Sequence, residues 1–141
     1  MTSPRELPPG TTTAAAVITK TLLFGVAGWA AENLLYGPRY SAVWQGHHVP
    51  FLPVYAAGGL AMLAVAPHLT SVPAIGRAGI YAAMAAGLEY TGCQIDRKIL
   101  QGRSWDYRKS DGLAKQTDGC VDWNHTALWG LLGLLGEGVA R

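Results

Sequence analysis

Charged residues are scarce in this chain of 141 residues: they make up only 14% of it, whereas half of the residues are hydrophobic. Soluble globular domains carry about a quarter charged residues, so the composition argues against an ordinary soluble domain. The net charge of +2 is small, and no basic stripe is interleaved with aromatic residues. We therefore exclude nucleic acid as a partner.

Motifs of soluble catalysis are also missing. The sequence has no GxxxxGK[ST] loop for nucleotide phosphates, no GxSxG nucleophile turn and no HExxH zinc helix. The adjacent His47 and His48 would point apart on a helix, and no second ligand pair stands at metal-binding spacing. We therefore expect no metal, no cofactor and no nucleotide hydrolysis by this chain alone.

Cysteine is nearly absent. The chain contains only Cys93 and Cys120, with no CxxC motif, and their separation fits no zinc site. The two residues flank the same polar stretch, so a disulfide across that stretch is one interpretation. We favour the other interpretation, two inert thiols.

Four apolar segments stand out against this background, at residues 14–35, 51–69, 73–93 and 126–140. A membrane-spanning helix needs about 20 mostly apolar residues, a length that the first three segments meet. The fourth segment is shorter. We interpret it as a tilted span, as a helix in the membrane interface, or as a helix that crosses a thin region of the membrane. We predict an all-α integral membrane bundle of about four transmembrane helices over residues 14–141, after a flexible lead at 1–13 and with a polar loop at 94–125.

The second segment is the clearest argument against a soluble helical bundle. It has no charged residue between Phe51 and Ala66, whereas a soluble helix shows a polar face.

We place the chain in the bacterial cytoplasmic membrane. With four spans, the loop side carries Arg39 and the six basic residues of the long loop, so the positive-inside rule favours both termini outside.

Two glutamates fall inside the predicted spans, where ionisable residues are costly and face the bundle interior. Glu32 lies late in the first segment and Glu89 late in the third. In the functional interpretation they line one polar site, as acid and base or as ligands for a cation or polar molecule. In the structural interpretation each is paired with Arg39, His47, His48 or a backbone donor and fixes helix register. We expect Glu137, near the end of the chain, to be solvated at the membrane interface.

The long loop carries the sequence Trp105-Asp106-Tyr107. Tryptophan and tyrosine favour the membrane interface, because each has an apolar body and a polar tip. Asp106 between them is expected to cap a helix or to accept a hydrogen bond from a basic residue.

Five short motifs occur in order along the chain: Gly28-Trp29-Ala30-Ala31-Glu32, Gly46 with Pro50-Phe51-Leu52-Pro53-Val54-Tyr55, Leu88-Glu89-Tyr90-Thr91-Gly92, Trp105-Asp106-Tyr107, and Gly119-Cys120 leading to Trp129-Gly130. In this order they resemble the bacterial type IV ABC-transporter permease family (the CmpB-like family), to which eukaryotic transmembrane proteins of the 229 group also look similar. The likeness runs over about residues 24–135. The chain departs from the family pattern at Gln45, where arginine is usual, and at Ala56, where glycine is usual. It also lacks the usual asparagine before the glycine–cysteine region.

The resemblance implies a compact multi-helix membrane fold and little about activity. Our leading hypothesis is a protein that binds or moves a small molecule or lipid through an intramembrane polar pocket. We expect membrane lipids around the protein, and a second copy or a partner membrane subunit such as an ATPase to act with it. The alternatives are a membrane-embedded acid–base enzyme (a cyclase or isomerase) acting on a lipid or isoprenoid, and an assembly subunit that uses glycine-rich helix faces. The candidate catalytic residues are Glu32, Glu89 and Asp106, and the candidate ligand-binding residues are Trp29, Arg39, Tyr55, Tyr90, Trp105 and Tyr107.

Overall fold

A computed structural model describes residues 13–36, 41–44, 47–50, 52–99 and 105–141 of the chain. Helices form the body of the molecule, so the predicted all-α class is confirmed. The helices are α1 (Ala14–Tyr36), α2 (Leu52–Val65) with a following 3-10 turn (Ala66–Leu69), α3 (Ala74–Lys98), the short α4 (Gly112–Gln116) and α5 (Trp123–Ala140).

A short β-hairpin, which the sequence did not lead us to expect, lies between α1 and α2. Strand β1 (Ser41–Trp44) pairs antiparallel with strand β2 (His47–Pro50). His47 and His48 therefore lie on a strand and not on a helix. Arg39 and Gln45 lie outside the described residues.

The ends of α3 and α5 differ from the predicted ends for local physical reasons. Helix α3 begins directly after Pro73 and continues beyond Cys93 to Lys98. Its last turn carries Arg97 and Lys98, and positive charge is favourable at the carboxyl end of a helix. Helix α5 begins at Trp123, before the predicted start, because the side chain of Asp122 caps it by accepting a hydrogen bond from the backbone N–H of His125.

The bundle consists of two closely packed helix pairs. Helix α1 packs on α2 and α3 packs on α5, while α2 also contacts α3 and α5. Glycines set the spacing within each pair: a side chain at Gly59 would overlap Phe24, and a Cβ atom at Gly130 would lie 2.7 Å from the backbone oxygen of Ala78. Close backbone approach through small residues is typical of helices that pack in membranes.

The distribution of polarity is that of a membrane bundle. Large aliphatic side chains point outward, with Leu34 86% exposed and Ile75 84% exposed. Ionisable side chains are buried instead, as expected when the outer surface meets lipid. They include Glu32, Glu89, Asp96, Asp122 and Glu137.

One helix among the described residues, α1, has a span (Ala14–Leu35) that is long and apolar enough to cross a membrane by length and composition. The apolar stretch Val54–Leu69 in the second segment is shorter. The predicted count of four spans is therefore not confirmed and stays a prediction.

The expectation of two inert thiols is wrong. Cys93 and Cys120 form a disulfide with their Cα atoms 5.5 Å apart, and both residues are buried. The segment before α5 folds back against the end of α3, where the indole Nε1 of Trp105 donates a hydrogen bond of 3.0 Å to the backbone oxygen of Cys120. This fold-back brings the two cysteines together.

The expectation for Glu137 is also wrong, because its carboxylate is buried rather than solvated. The Nε atom of Arg77 lies 2.6 Å from Oε1 of Glu137, and Tyr81 donates a hydrogen bond of 2.9 Å to the same oxygen. Arg141 approaches Oε2 at 3.0 Å. Helix α5 runs antiparallel along α3, so its last turn reaches the first turns of α3 and finds these partners there.

Candidate functional site

A cavity of about 500 Å³ lies between the two helix pairs. Small-molecule sites in proteins commonly have about 300–1,000 Å³, so this volume is sufficient for a ligand. Helices α1, α2, α3 and α5 all contribute to its wall, together with the loop that precedes α4. The lining residues are mostly aliphatic or aromatic, and the polar exceptions include Glu32, Tyr55, Glu89, Trp105, Tyr107 and Trp129.

The first polar contact of the cavity joins α1 to α2. The hydroxyl of Tyr55 donates a hydrogen bond to Oε2 of Glu32, and the Glu32 side chain is buried. Glu32 lies late in α1 and Tyr55 early in α2, so the two ends of consecutive helices meet here. The described partner of Glu32 is therefore a neutral phenol. Arg39 and the side chains of His47 and His48, which the structural interpretation offered as partners, lie outside what the structure describes.

The second polar contact joins α3 to α5. The indole Nε1 of Trp129 donates a hydrogen bond of 3.2 Å to Oε1 of Glu89. The other carboxylate oxygen, Oε2, is buried and has no hydrogen-bond partner among the described residues. The rings of Tyr55 and Trp129 lie with their centroids 6.0 Å apart, so the two contacts adjoin each other. Glu32 and Glu89 are close enough for their charges to interact.

All four of these side chains lie at the same end of the bundle. Glu32 and Glu89 lie in the carboxyl-terminal halves of their helices, whereas Tyr55 and Trp129 lie in the amino-terminal halves of theirs. This is the end at which the disulfide holds the loop. The cavity is thus polar at the loop end and apolar toward the opposite end, where Phe24, Met62 and Gly136 line it.

Aromatic side chains of the loop form the wall of the cavity at its polar end. Trp105 and Tyr107 both line it. The ring of Tyr107 stacks on that of His125 with a centroid distance of 4.4 Å, and its backbone N–H bonds to the oxygen of Gly119 at 2.9 Å. The loop aromatics are therefore fixed by contacts with residues 119–125, the segment that leads into α5.

Asp122 anchors this wall. Its Oδ1 atom lies 2.7 Å from the backbone nitrogen of His125 and 2.8 Å from the Nδ1 atom of the His125 ring. Burial alone would raise the pKa of the Asp122 carboxyl. Hydrogen bonds from the His125 backbone and from the Ser110 and His125 side chains outweigh it and hold the pKa below its usual value. No motif or spacing in the sequence singled out this residue.

The predicted site residues divide into two groups. Glu32, Tyr55, Glu89, Trp105 and Tyr107 line one cavity, while the other candidates are elsewhere. Asp106 does not line the cavity, and its carboxylate pairs with Arg108 at 2.5 Å, which is one of the two structural roles predicted for it. Trp29 and Tyr90 are also absent from the lining, and Tyr90 is 46% exposed. Arg39 lies outside the described residues.

Trp129 lines the cavity and contacts Glu89, and it was not among the predicted site residues. It stands in the last motif of the family resemblance, yet nothing in its own helix shows that it contacts a glutamate on α3. Its position one residue before Gly130, which packs against Ala78 of α3, is the signal that could have placed it at the α3–α5 contact.

Comparison with known proteins agrees with the resemblance read from the motifs. The model of a family described as "Putative ABC-transporter type IV" matches residues 21–140. No curated protein matches the chain, and no solved structure matches it. The similarity to the eukaryotic 229 group stays a prediction.

Proposed function

We propose that this chain, which belongs to the family "Putative ABC-transporter type IV", is a membrane protein that binds or moves a small molecule or lipid through the cavity between its helix pairs. The observation that carries the proposal is the convergence of Glu32 and Glu89 from different helices on one otherwise apolar cavity. A carboxylate inside a membrane bundle is costly, and such residues typically mark pathways or ligand sites.

The proposal assigns the residues of the cavity their roles. Glu32 and Glu89 hold the polar part of the ligand, and Tyr55 and Trp129 orient the two carboxylates through their hydrogen bonds. Trp105 and Tyr107 of the loop cover the ligand at the polar end. The chain is placed in the bacterial cytoplasmic membrane, with lipids against its exposed aliphatic side chains.

Transport by this chain would require a further component. The sequence has no nucleotide-binding motif, so energy from ATP would have to come from a partner subunit. A second copy of the chain is the other way to build a complete conduit. Binding in the cavity requires neither, and it is therefore the part of the proposal to test first.

The assembly hypothesis loses the feature that motivated it. Gly25 lies against Ala56 and Gly28 against Tyr55, so this glycine face of α1 packs on α2 within the same chain. The enzyme hypothesis placed the acid on Glu32 or Glu89 and the base on the other carboxylate or on Asp106. Asp106 lies outside the lining and is paired with Arg108, so only Glu32 and Glu89 remain for that hypothesis. We favour ligand binding, because the family description names a transporter.

A pair of glycine substitutions tests whether the cavity holds a ligand. A Cβ atom at Gly58 would have only Leu88 nearby, at 3.9 Å, and the residue lines the cavity, so Gly58→Leu would fill cavity space. Gly79 of α3 has no atom within 4 Å of such a Cβ and does not line the cavity, so Gly79→Leu is the matched control.

Native mass spectrometry of the protein released from mild detergent gives the readout. We expect the wild type and Gly79→Leu to retain a bound non-protein mass, and Gly58→Leu to lose it. The proposal is wrong if no bound mass is found on the wild type, or if all three proteins carry it equally.

A further inference from the structure

We infer that the cavity selects an amphiphilic organic cation, a molecule with an ammonium group at one end and an apolar body at the other. The inference rests on the proposed function and specifies the chemical class of its ligand. It follows from three properties of the cavity wall: the balance of its charges, the placement of its aromatic rings and the separation of its polar and apolar ends.

The charges on the wall are all of one sign. The cavity lining contains Glu32 and Glu89 but no lysine or arginine among the residues that the structure describes. Glu89 is only 8% exposed, and its Oε2 atom has no hydrogen-bond donor there. A buried acceptor without a donor is unfavourable, and an ammonium N–H supplies both the missing donor and a compensating charge.

The aromatic rings favour the same ligand charge. Tyr55 and Trp129 stand beside the two carboxylates with their ring centroids 6.0 Å apart, and Trp105 and Tyr107 line the same cavity. A cation is attracted to the face of an aromatic ring when it lies within about 6 Å of the centroid. An anion would meet the two carboxylates and no lysine or arginine among the described lining residues, so this end of the cavity rejects it.

The length of the cavity sets the length of the apolar body of the ligand. Along α1, Glu32 and Phe24 both line the cavity, and the helical rise of 1.5 Å per residue separates them by about 12 Å. Along α5, Trp129 and Gly136 are about 10 Å apart by the same rise. A ligand with its ammonium at Glu89 would therefore extend an apolar body of about 10 Å between the helix pairs.

Three probes of matched shape and different charge test the inference on the wild-type protein: 4-phenylbutylammonium, 4-phenylbutanol and 4-phenylbutanoate. Binding is measured by isothermal titration calorimetry in maltoside micelles, which carry no charge, with empty micelles as the blank. We expect the ammonium to bind at least about tenfold more tightly than the alcohol, the amount expected for one charge-assisted hydrogen bond. We expect the carboxylate to bind most weakly.

The same three probes distinguish failure of the cation selectivity from failure of the proposed ligand binding, on which the inference rests. If the alcohol binds as tightly as the ammonium and Gly58→Leu weakens both, the cavity binds ligands but the charge selectivity is wrong. If none of the probes binds to the wild type, the cation inference fails, while the bound mass in native mass spectrometry still decides the proposed function.

Substitution of the acceptor gives an independent test. We expect Glu89→Gln to weaken binding of the ammonium about tenfold or more while leaving the alcohol within about twofold, since only the charged probe uses the carboxylate. Asp118→Asn is the control, because Asp118 is an exposed carboxylate of the loop region, away from the cavity lining. Equal losses for both probes would contradict the inference. If Glu89→Gln does not fold, the wild-type series decides.

A further arm identifies the source of the ammonium group. Phosphatidylethanolamine added to the micelles will weaken binding of 4-phenylbutylammonium if a lipid headgroup occupies the site. It will have no effect beyond that of phosphatidylglycerol if the ligand is a free amine. The cation site itself is tested by the binding of 4-phenylbutylammonium, and these two outcomes assign it to one of the two sources.

Discussion

Glu89 of α3 accepts a hydrogen bond from the indole of Trp129 of α5 over 3.2 Å, and this contact fixes one end of the α3–α5 pair. The other end is fixed by the ion pair of Arg77 with Glu137. The two contacts lie on opposite ends of the same helix pair, and the cavity extends between them. Its polar end is therefore held by a neutral donor, which leaves the carboxylate of Glu89 available to a ligand.

Replacing the donor tests this contact. We expect Trp129→Phe to lower the free energy of unfolding by about 1–3 kcal/mol, because the buried Glu89 oxygen would lose its hydrogen bond. Thermal unfolding in detergent, followed by circular dichroism, measures the change. Trp123→Phe is the matched control on the same helix, since the Trp123 side chain is 62% exposed. Equal effects of the two substitutions would show that the hydrogen bond does not stabilise the helix pair.

Much of the helical framework could be predicted from the apolar segments. The predicted first segment, 14–35, agrees with α1 to within one residue. The sequence Gly37-Pro38 marks its end, because a proline disfavours the helical conformation of the residue before it. The placement of Glu32 and Glu89 toward one interior followed from the cost of carboxylates in lipid. These inferences use only properties that a residue has within its own segment.

The contacts between segments could not be predicted in this way. Spacing along one helix does not reveal that Tyr55 meets Glu32, that Trp129 meets Glu89 or that Arg77 meets Glu137, because these pairs depend on how the helices pack. The disulfide was misjudged for the same reason. The separation of Cys93 and Cys120 in sequence gives no information on whether the loop folds back or extends away from α3.

Helix spacing in the α3–α5 pair is predicted to depend on one glycine. We expect Gly130→Ala to destabilise the protein by about 1–3 kcal/mol through overpacking, because the added Cβ atom would lie 2.7 Å from the backbone oxygen of Ala78. Gly138→Ala on the same helix meets nothing within 4 Å and should leave stability unchanged or slightly raised. Denaturant or thermal unfolding of the two variants side by side provides the comparison, and a smaller effect at Gly130 than at Gly138 would refute the packing argument.

The disulfide predicts the orientation of the chain in its membrane. Protein disulfides persist in oxidising compartments, so we expect the loop that joins α3 to α5 to face the outside of the cell. With four spans the C-terminus would then be cytoplasmic, opposite to the orientation favoured by the basic residues of the loop. A C-terminal fusion to green fluorescent protein should fluoresce, whereas a fusion to alkaline phosphatase should be inactive.

Thiol labelling supplies the control for that prediction. Maleimide coupling to unfolded wild-type protein should require prior reduction, and Cys93→Ser should leave Cys120 reactive without it. An active phosphatase fusion together with thiols that react without reduction would instead place the loop in the cytoplasm.

Loss of the cross-link in Cys93→Ser is expected to lower the free energy of unfolding by about 2–4 kcal/mol, the typical effect of a native disulfide.

Stability toward acid is predicted to depend on Asp122, the capping residue that precedes α5. Its pKa is lower in the folded protein than in the unfolded chain, so its ionised form stabilises the fold. That contribution is fully present above the ordinary aspartate pKa of about 3.9 and is lost as the pH falls toward the lower pKa of the folded state. We expect the difference in thermal midpoint between the wild type and Asp122→Asn to be largest above this pH and to shrink as the pH falls through it. A difference at Asp122 that stays constant with pH would show that the charge of this carboxylate does not stabilise α5.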